Sequence, residues 1–192
     1  SILAMSASFN GLVQTFAGFI AFSLTASAFY IFNDLLDIEN DREHIKKKYR
    51  PLAAGDIQIL DSATCFFSMI AASIIISLYL EPTFQLILLL YAILTFTYSK
   101  LLKKIPVLDI ITLASLYVIR IVGGASITNL DVSNWLFTFS AFFFLFLASV
   151  KRWIEIENSS GLSIAHRGYT KKDLNFITHL SYFCGLISVL II

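Results

Sequence analysis

Residues 30–57 read YIFNDLLDIENDREHIKKKYRPLAAGDI and place a dense run of charged side chains directly after a long apolar segment. Within it, Asn33, Asp37 and Asp41 are four residues apart, which is about 40° per step around an α-helix. If the apolar segment stays helical this far, the three side chains form one stripe. Such a stripe suits Mg²⁺, which binds one or two carboxylates and leaves its other positions to water and phosphates. A solvated acidic helix end is the simpler interpretation, but charge at the mouth of a membrane helix favours a functional one.

The composition places the chain in a membrane. Hydrophobic residues make up 57% of the 192 residues, and the mean hydropathy is +0.79, whereas a soluble domain is about 45–50% apolar. Several apolar runs reach the roughly 18 residues that a membrane-spanning helix requires. We therefore predict an all-α, polytopic bundle of transmembrane helices.

The apolar runs predict six membrane spans. These spans cover residues 12–32, 59–80, 83–98, 107–127 and 135–150, and the sixth begins near residue 174. Residues 151–173 are predicted to form a long polar loop. Because the chain begins with serine and stops within an apolar run, we expect it to be a fragment, and we expect residues 1–192 to form a single domain.

Lysine and arginine are distributed unevenly along the chain. Each of the 14 except Arg120 follows the first, third or fifth predicted span. These residues are Arg42, Lys46, Lys47, Lys48, Arg50, Lys100, Lys103, Lys104, Lys151, Arg152, Arg167, Lys171 and Lys172. Because cytoplasmic loops carry the excess of Lys and Arg in membrane proteins, we predict that these three loops face the cytoplasm.

Two charged residues lie within the fourth predicted span. Asp109 is at its inner end and Arg120 is near its middle, and their separation of close to three helical turns puts them on similar faces. An intramembrane arginine is expected to face the bundle interior or a wet cavity and to be functional. A structural ion pair with a neighbouring helix stays open as the alternative.

Local spacing predicts two interactions after the fifth span. Arg152 and Glu155, in the segment KRWIE, have the i, i+3 spacing of a helix-surface ion pair. Thr170 and Asp173 have the spacing of a capping box, which predicts the start of the sixth span.

The motif NDLLDIEND at residues 33–41, followed by RPLAAG at residues 50–55, resembles the first signature of the UbiA superfamily of intramembrane prenyltransferases. The resemblance covers essentially the whole chain and implies a bundle of about nine spans, of which this chain would hold about six. Aromatic-prenylating members carry a second motif, DxxxD, where this chain has KRWIE. The segments YSKLLKKIPVLD, RIVGG, KRWIE and RGYT together resemble the decaprenyl-phosphate phosphoribosyltransferase branch instead.

This resemblance implies transfer of a 5-phosphoribosyl group from phosphoribosyl diphosphate to a polyprenyl (decaprenyl) monophosphate, for cell-wall arabinan precursors, at the cytoplasmic face of a bacterial inner membrane. Asn33, Asp37 and Asp41 would hold the implied cofactor, Mg²⁺. Lys151 and Arg152 would bind phosphate, and Glu155 would orient them. The predicted catalytic residues are therefore Asp37, Asp41, Lys151, Arg152 and Glu155. The other predicted substrate-binding residues are Asp34, Lys47, Arg50, Tyr98, Lys100, Lys103, Asp109, Arg120, Arg167 and Tyr169.

Two other functions stay open. The first is an aromatic polyprenyltransferase that joins a prenyl diphosphate to an acceptor of the 4-hydroxybenzoate type. The second is a cation transporter using Asp37 and Asp41, which would favour acidic residues in mid-membrane rather than at the cytoplasmic end of a span. Membrane lipids are further expected partners, and no nucleic acid is expected to bind.

Overall fold

The structure is a computed structural model that describes residues 2–128, 131–158 and 168–191, with side chains from residue 10 onward. Within these residues the chain forms eight α-helices in order. They are α1 (Ile2–Leu36), α2 (Ile38–Glu43), α3 (Pro51–Ala54), α4 (Ile59–Ser77), α5 (Pro82–Lys100), α6 (Leu108–Ile127), α7 (Asn134–Glu157) and α8 (Leu174–Ile191). Short 3₁₀ turns occupy Lys47–Tyr49, Leu102–Lys104 and Lys171–Asp173.

Six segments of the described chain are long and apolar enough to cross a membrane. They are Asn10–Leu36, Ile59–Ser77, Pro82–Lys100, Leu108–Ile127, Asn134–Glu157 and Lys171–Ile191. Large apolar side chains stand exposed on them, including Phe19 at 67% and Leu190 at 75%, as helices that face lipid require. The chain is an integral membrane protein, and the predicted all-α bundle with six spans is confirmed.

The fifth span is longer than predicted. The prediction of a polar loop that begins at residue 151 is wrong, because α7 continues to Glu157. Ala148, Ser149, Arg152 and Ile156 are all buried, and their spacing follows the 3.6-residue period of one helix face. The segment KRWIE is therefore the end of a helix, with Arg152 on its buried side.

The chain divides into two compact units, each with its own core. The first contains the chain up to Phe96 and the end of α6. Its core consists of Ala21, Leu80, Phe84, Leu88 and Ile127. α1 packs along α4, where the Thr25 and Ser73 hydroxyls are 2.7 Å apart and Ser73 donates to the Ala21 carbonyl at 2.8 Å. Hydroxyl bonds of this kind join neighbouring helices in lipid.

The second unit contains the end of α5, most of α6, and α7 and α8. Its core consists of Ile110, Ala148, Ile156, Tyr169 and Ile177. α7 packs along α8, with the Phe146 ring against the backbone of Gly185. The single domain predicted for residues 1–192 stays a prediction.

Candidate functional site

The acidic residues of the first unit begin where α1 ends. Asp37 joins α1 to α2 with φ of −101° and ψ of 8°. Helical hydrogen bonding continues across this bend, because the Asp37 N–H donates to the Asn33 carbonyl at 3.0 Å and the Asp41 N–H donates to the Asp37 carbonyl at 2.8 Å. The three residues therefore lie on consecutive turns. Asn33 Nδ2 also donates to Asp37 Oδ2 at 3.1 Å.

The backbone conformation of the RPLAAG segment, residues 50–55, positions the side chain of Arg50. Arg50 is extended, at φ −65° and ψ 140°, which is the conformation favoured before proline. Pro51 then opens α3, and Gly55 ends it with a φ of +87°, a left-handed cap that glycine adopts without a Cβ penalty. Arg42 Nε donates to the Ala53 carbonyl at 3.3 Å and joins α2 to α3.

Arg50 bridges two carboxylates. Its Nη1 lies 2.7 Å from Asp34 Oδ1 and 2.7 Å from Asp41 Oδ2, and Lys47 Nζ lies 3.9 Å from Asp41 Oδ1. Asp41 is only 3% exposed, so these cations offset the cost of burying its charge. We call Asn33, Asp34, Asp37, Asp41, Lys47 and Arg50 the acidic cluster.

The acidic cluster fits Mg²⁺ by the chemistry of its donors. Asp37 and Asp41 supply hard carboxylate oxygens, and Asn33 uses its amide nitrogen toward Asp37, so its amide oxygen is not part of that bond. Among the described residues, no three His, Cys, Asp or Glu side chains converge as a closed metal cage. Mg²⁺ bound here would therefore complete its coordination with waters and substrate phosphates.

The second unit contains a buried cluster around Arg152. Arg152 and Asp109 are both completely buried, with Nε 2.7 Å from Asp109 Oδ2 and Nη2 2.9 Å from Oδ1. Arg152 Nη1 contacts the Glu155 carboxylate, as the i, i+3 spacing predicts. The Tyr98 hydroxyl donates to Asp109 Oδ1 at 2.9 Å, and the guanidinium lies 5.6 Å from the centre of the Tyr169 ring. We call these five residues the arginine cluster.

Tyr169 connects the arginine cluster to the loop before α6. Its oxygen accepts the Val107 N–H at 2.9 Å, and its side chain is 1% exposed. Burial raises the pKa of Tyr169 to about 12, and the hydrogen bond from Val107 works in the opposite direction because it stabilises the phenolate. The hydroxyl therefore stays protonated well above neutral pH.

The remaining predicted residues occupy different environments. Lys100 is exposed at the end of α5 and Lys151 is exposed in the second-last turn of α7, whereas Lys103 is only 6% exposed. The Arg120 guanidinium lies 5.3 Å from the centre of the Tyr117 ring, one turn earlier on α6. Arg167 lies outside the described residues. The roles assigned to all these side chains from the sequence stay predictions.

The capping box before α8 is confirmed. The Thr170 N–H donates to Asp173 Oδ2 at 2.8 Å, and the Thr170 hydroxyl donates to the same oxygen at 2.9 Å. This cap fixes the chain immediately after Tyr169 and so helps to hold the tyrosine in the second unit.

Sequence reasoning missed Val107 and Gly168. Val107 has a φ of +69°, a conformation in which a β-branched residue is an outlier. Gly168 has a φ of +63°, and a Cβ there would meet the Lys104 carbonyl oxygen and the Pro106 ring. The glycine in RGYT was the available signal for Gly168, but the sequence around Val107 contains no glycine or asparagine to indicate a left-handed residue.

Comparison with known proteins supplies the family. The sequence model of the UbiA prenyltransferase family matches residues 1–157. An uncharacterized protein, y4nM of Sinorhizobium fredii, is 39% identical over 168 residues, which are 86% of this chain and 33% of that protein. Decaprenyl-phosphate phosphoribosyltransferase of Mycobacterium tuberculosis is 34% identical over 167 residues, which are 85% of this chain and 55% of the relative. The chain thus spans about half or less of the length of these two relatives.

A solved structure supports the same fold. The structure of a UbiA homolog from Archaeoglobus fulgidus bound to DMAPP and Mg²⁺ superimposes with a TM-score of 0.78, covering 93% of this chain and 64% of that chain at 20% identity. The match to the family model over most of the chain agrees with the motif at residues 33–41 and with the all-α membrane fold. This chain belongs to the UbiA prenyltransferase family.

Proposed function

We propose that the whole protein is a Mg²⁺-dependent transferase that moves a 5-phosphoribosyl group from phosphoribosyl diphosphate to a polyprenyl monophosphate and releases diphosphate. An oxygen of the lipid phosphate forms a bond to the anomeric carbon of the ribose. The bond from that carbon to the diphosphate oxygen breaks, and the electron pair leaves with the diphosphate. The 34% identity to a protein named decaprenyl-phosphate phosphoribosyltransferase supports this reaction.

One observation favours a phosphorylated acceptor. Arg152 contacts the carboxylates of both Asp109 and Glu155, so a cation of the chain lies between the two acids at the position where a metal-bound prenyl diphosphate would require them to face a metal. Lys100 and Lys151 add positive charge at the ends of α5 and α7. A lipid phosphate carries more negative charge than the single carboxylate of a 4-hydroxybenzoate-type acceptor, and a cationic environment stabilises that additional charge.

The acidic cluster would hold the donor diphosphate. Asn33, Asp37 and Asp41 would hold Mg²⁺, and Arg50 already contacts Asp41 Oδ2. Bound Mg²⁺ would supply charge neutralisation for the departing diphosphate. Lys47 and Arg50 place additional cations beside the same carboxylates, where diphosphate oxygens would accept their hydrogen bonds.

We place this chemistry at the cytoplasmic face of the membrane. The lysines and arginines other than Arg120 lie after α1, at or after the end of α5, and in or after the last two turns of α7, and cytoplasmic segments carry this excess. A water-soluble sugar diphosphate can reach that face directly. We further propose that the transfer takes place in a bacterial inner membrane and supplies precursors of cell-wall arabinan.

The decisive assay supplies purified full-length protein with radiolabelled phosphoribosyl diphosphate, decaprenyl phosphate and Mg²⁺. We expect a labelled lipid product that disappears when a chelator removes the metal and returns when Mg²⁺ is restored. Absence of that product, together with prenylation of 4-hydroxybenzoate from a prenyl diphosphate, would refute the proposal in favour of the aromatic polyprenyltransferase.

A matched pair of variants tests the acidic cluster. Asp37→Asn removes one carboxylate charge and is expected to reduce transfer by at least about a hundredfold, since charge stabilisation of this kind is worth several kcal/mol. Asp56→Asn changes an exposed aspartate of the same part of the chain and is expected to keep wild-type turnover. Wild-type activity in Asp37→Asn would exclude the acidic cluster as the metal site.

A further inference from the structure

A strained turn precedes α6. The Leu108 N–H donates to the Pro106 carbonyl at 2.8 Å, which makes residues 106–108 a γ-turn, and Val107 is its central residue with a φ of +69°. The γ-turn with positive φ is rare and strained. For valine the strain is larger still, because its branched Cβ crowds the backbone in this region. Strained conformations of this kind persist only where surrounding contacts hold them in place.

Two contacts from the segment before α8 hold this turn. The Tyr169 oxygen accepts the Val107 N–H at 2.9 Å. One residue earlier, Gly168 lies against the Lys104 carbonyl and the Pro106 ring so closely that a Cβ would not fit. The Tyr169 ring is in turn fixed by burial and by Arg152, whose guanidinium lies 5.6 Å from the ring centre.

The γ-turn controls two neighbouring features. It orients the first turn of α6, whose Asp109 carboxylate accepts hydrogen bonds from Tyr98 and Arg152. It also ends the segment of residues 100–107, which we call the basic loop and which includes Lys100, Lys103 and Lys104. A change in the turn would therefore move positively charged side chains as well as the Asp109 carboxylate.

The sequence predicted that Tyr169 binds substrate, but its surroundings favour a different role. The side chain is 1% exposed, and its oxygen already accepts the Val107 N–H. The hydroxyl also interacts with the Asp109 carboxylate, so groups of the chain already contact it as donor and as acceptor.

We propose that Tyr169 is a positioning residue, and that its hydroxyl holds the strained turn at Val107 and thereby sets the position of the basic loop for an anionic substrate. The part concerning the substrate rests on the proposed function. The part concerning the turn rests on the contacts of Tyr169 alone.

Hydrogen–deuterium exchange of the full-length protein tests the turn without any assay of activity. Tyr169→Phe keeps the ring and removes the oxygen, with its contacts to the Val107 N–H and the Asp109 carboxylate. It is expected to raise exchange in peptides spanning residues 101–109 by at least about fivefold, the effect of losing one hydrogen bond. Peptides from α4 should stay unchanged. Tyr182→Phe makes the same chemical change at a residue that is 73% exposed and should have no effect. Unchanged exchange near Val107 in Tyr169→Phe would overturn the proposal.

A rescue experiment separates positioning from simple destabilisation. Val107→Gly removes the steric strain of the positive φ. The turn should then keep its conformation with less stabilisation from the Tyr169 hydroxyl. We expect Tyr169→Phe to raise the KM for phosphoribosyl diphosphate about fivefold with kcat changed less than about twofold, and to have a clearly smaller effect on KM in the Val107→Gly background. An equal effect in both backgrounds would overturn the proposal, as would a loss confined to kcat.

The two proposals fail in different ways. If the wild-type protein transfers no phosphoribosyl group, the proposed function is refuted, while the exchange data still decide whether Tyr169 holds the turn. If the wild-type protein transfers the group and Tyr169→Phe leaves exchange near Val107 unchanged, the positioning role is refuted and the reaction stands.

Discussion

Replacing Arg152 by methionine leaves the Asp109 carboxylate buried without the guanidinium that now contacts both of its oxygens. Both side chains are completely buried, so solvent cannot compensate the remaining charge. Removal of one partner of such a pair costs about 3–5 kcal/mol. Total stabilities are about 5–15 kcal/mol, and Arg152→Met should therefore remain folded but unfold at clearly lower denaturant concentration.

The double variant Asp109→Leu/Arg152→Met removes both charges and should recover part of this loss. Recovery is incomplete because the Tyr98 hydroxyl loses the acceptor that Asp109 Oδ1 provides, and the loss of a hydrogen bond to a charged group costs about 1–3 kcal/mol. We therefore expect the double variant to be about 1–3 kcal/mol less stable than the wild type, and more stable than Arg152→Met.

Denaturant titration in detergent, followed by tryptophan fluorescence, measures this directly. Both tryptophans of the chain, Trp135 and Trp153, lie on α7 and report on the helix that contains the substitution. Lys151→Met is the matched control, because this exposed neighbour should cost less than about 1 kcal/mol. A loss in Arg152→Met no larger than that of the control would refute the view that Arg152 and Asp109 form an essential buried pair.

Three further predictions concern other parts of the structure. Arg50→Gln removes the cation between Asp34 and Asp41 and should lower the free energy of unfolding by about 1–2 kcal/mol, with Arg50→Lys restoring at least half in the same denaturant titration. Gly55→Ala should lower the free energy of unfolding by about 1 kcal/mol because Gly55 has a φ of +87°. The control Gly11→Ala, at a helical glycine with open space around it, should not lower the denaturation midpoint. Burial raises the pKa of Tyr169 to about 12, so as the pH rises the tyrosine loses its proton in the unfolded chain before it does so in the folded chain. The contribution of Tyr169 to the free energy of unfolding should therefore stay constant up to about pH 10 and then fall by about 1.4 kcal/mol per pH unit up to about pH 12. Titrations across this range should show a shallower fall in Tyr169→Phe, and an identical fall would contradict the assignment.

The transmembrane helices were predictable because the signals are local. A long apolar run must satisfy its backbone hydrogen bonds within lipid, so composition and length suffice to predict a helix. The capping box of Thr170 and Asp173 was equally local, and its hydrogen bonds are present. The prediction failed at the end of α7, where Arg152 was read as a loop cation because its burial depends on partners outside its own segment.

The sequence alone determined that Asn33, Asp37 and Asp41 lie on successive helical turns. Their four-residue spacing predicts this placement, and backbone hydrogen bonds from each residue to the previous one are present in the structure. Tertiary structure decided which groups these side chains meet: Arg50, nine residues further along the chain at the N-cap of α3, reaches Asp41.

The same division applies in the second unit. Asp109 and Arg152 are 43 residues apart, and Tyr169 reaches Val107 across 62 residues. No periodicity along one helix predicts such contacts, because they depend on how helices pack and on which charges burial forces into pairs. Local sequence patterns were therefore sufficient to predict a bundle of membrane helices and its family. Only the packing of the helices decided that Arg152 contacts Asp109 and that Tyr169 contacts Val107.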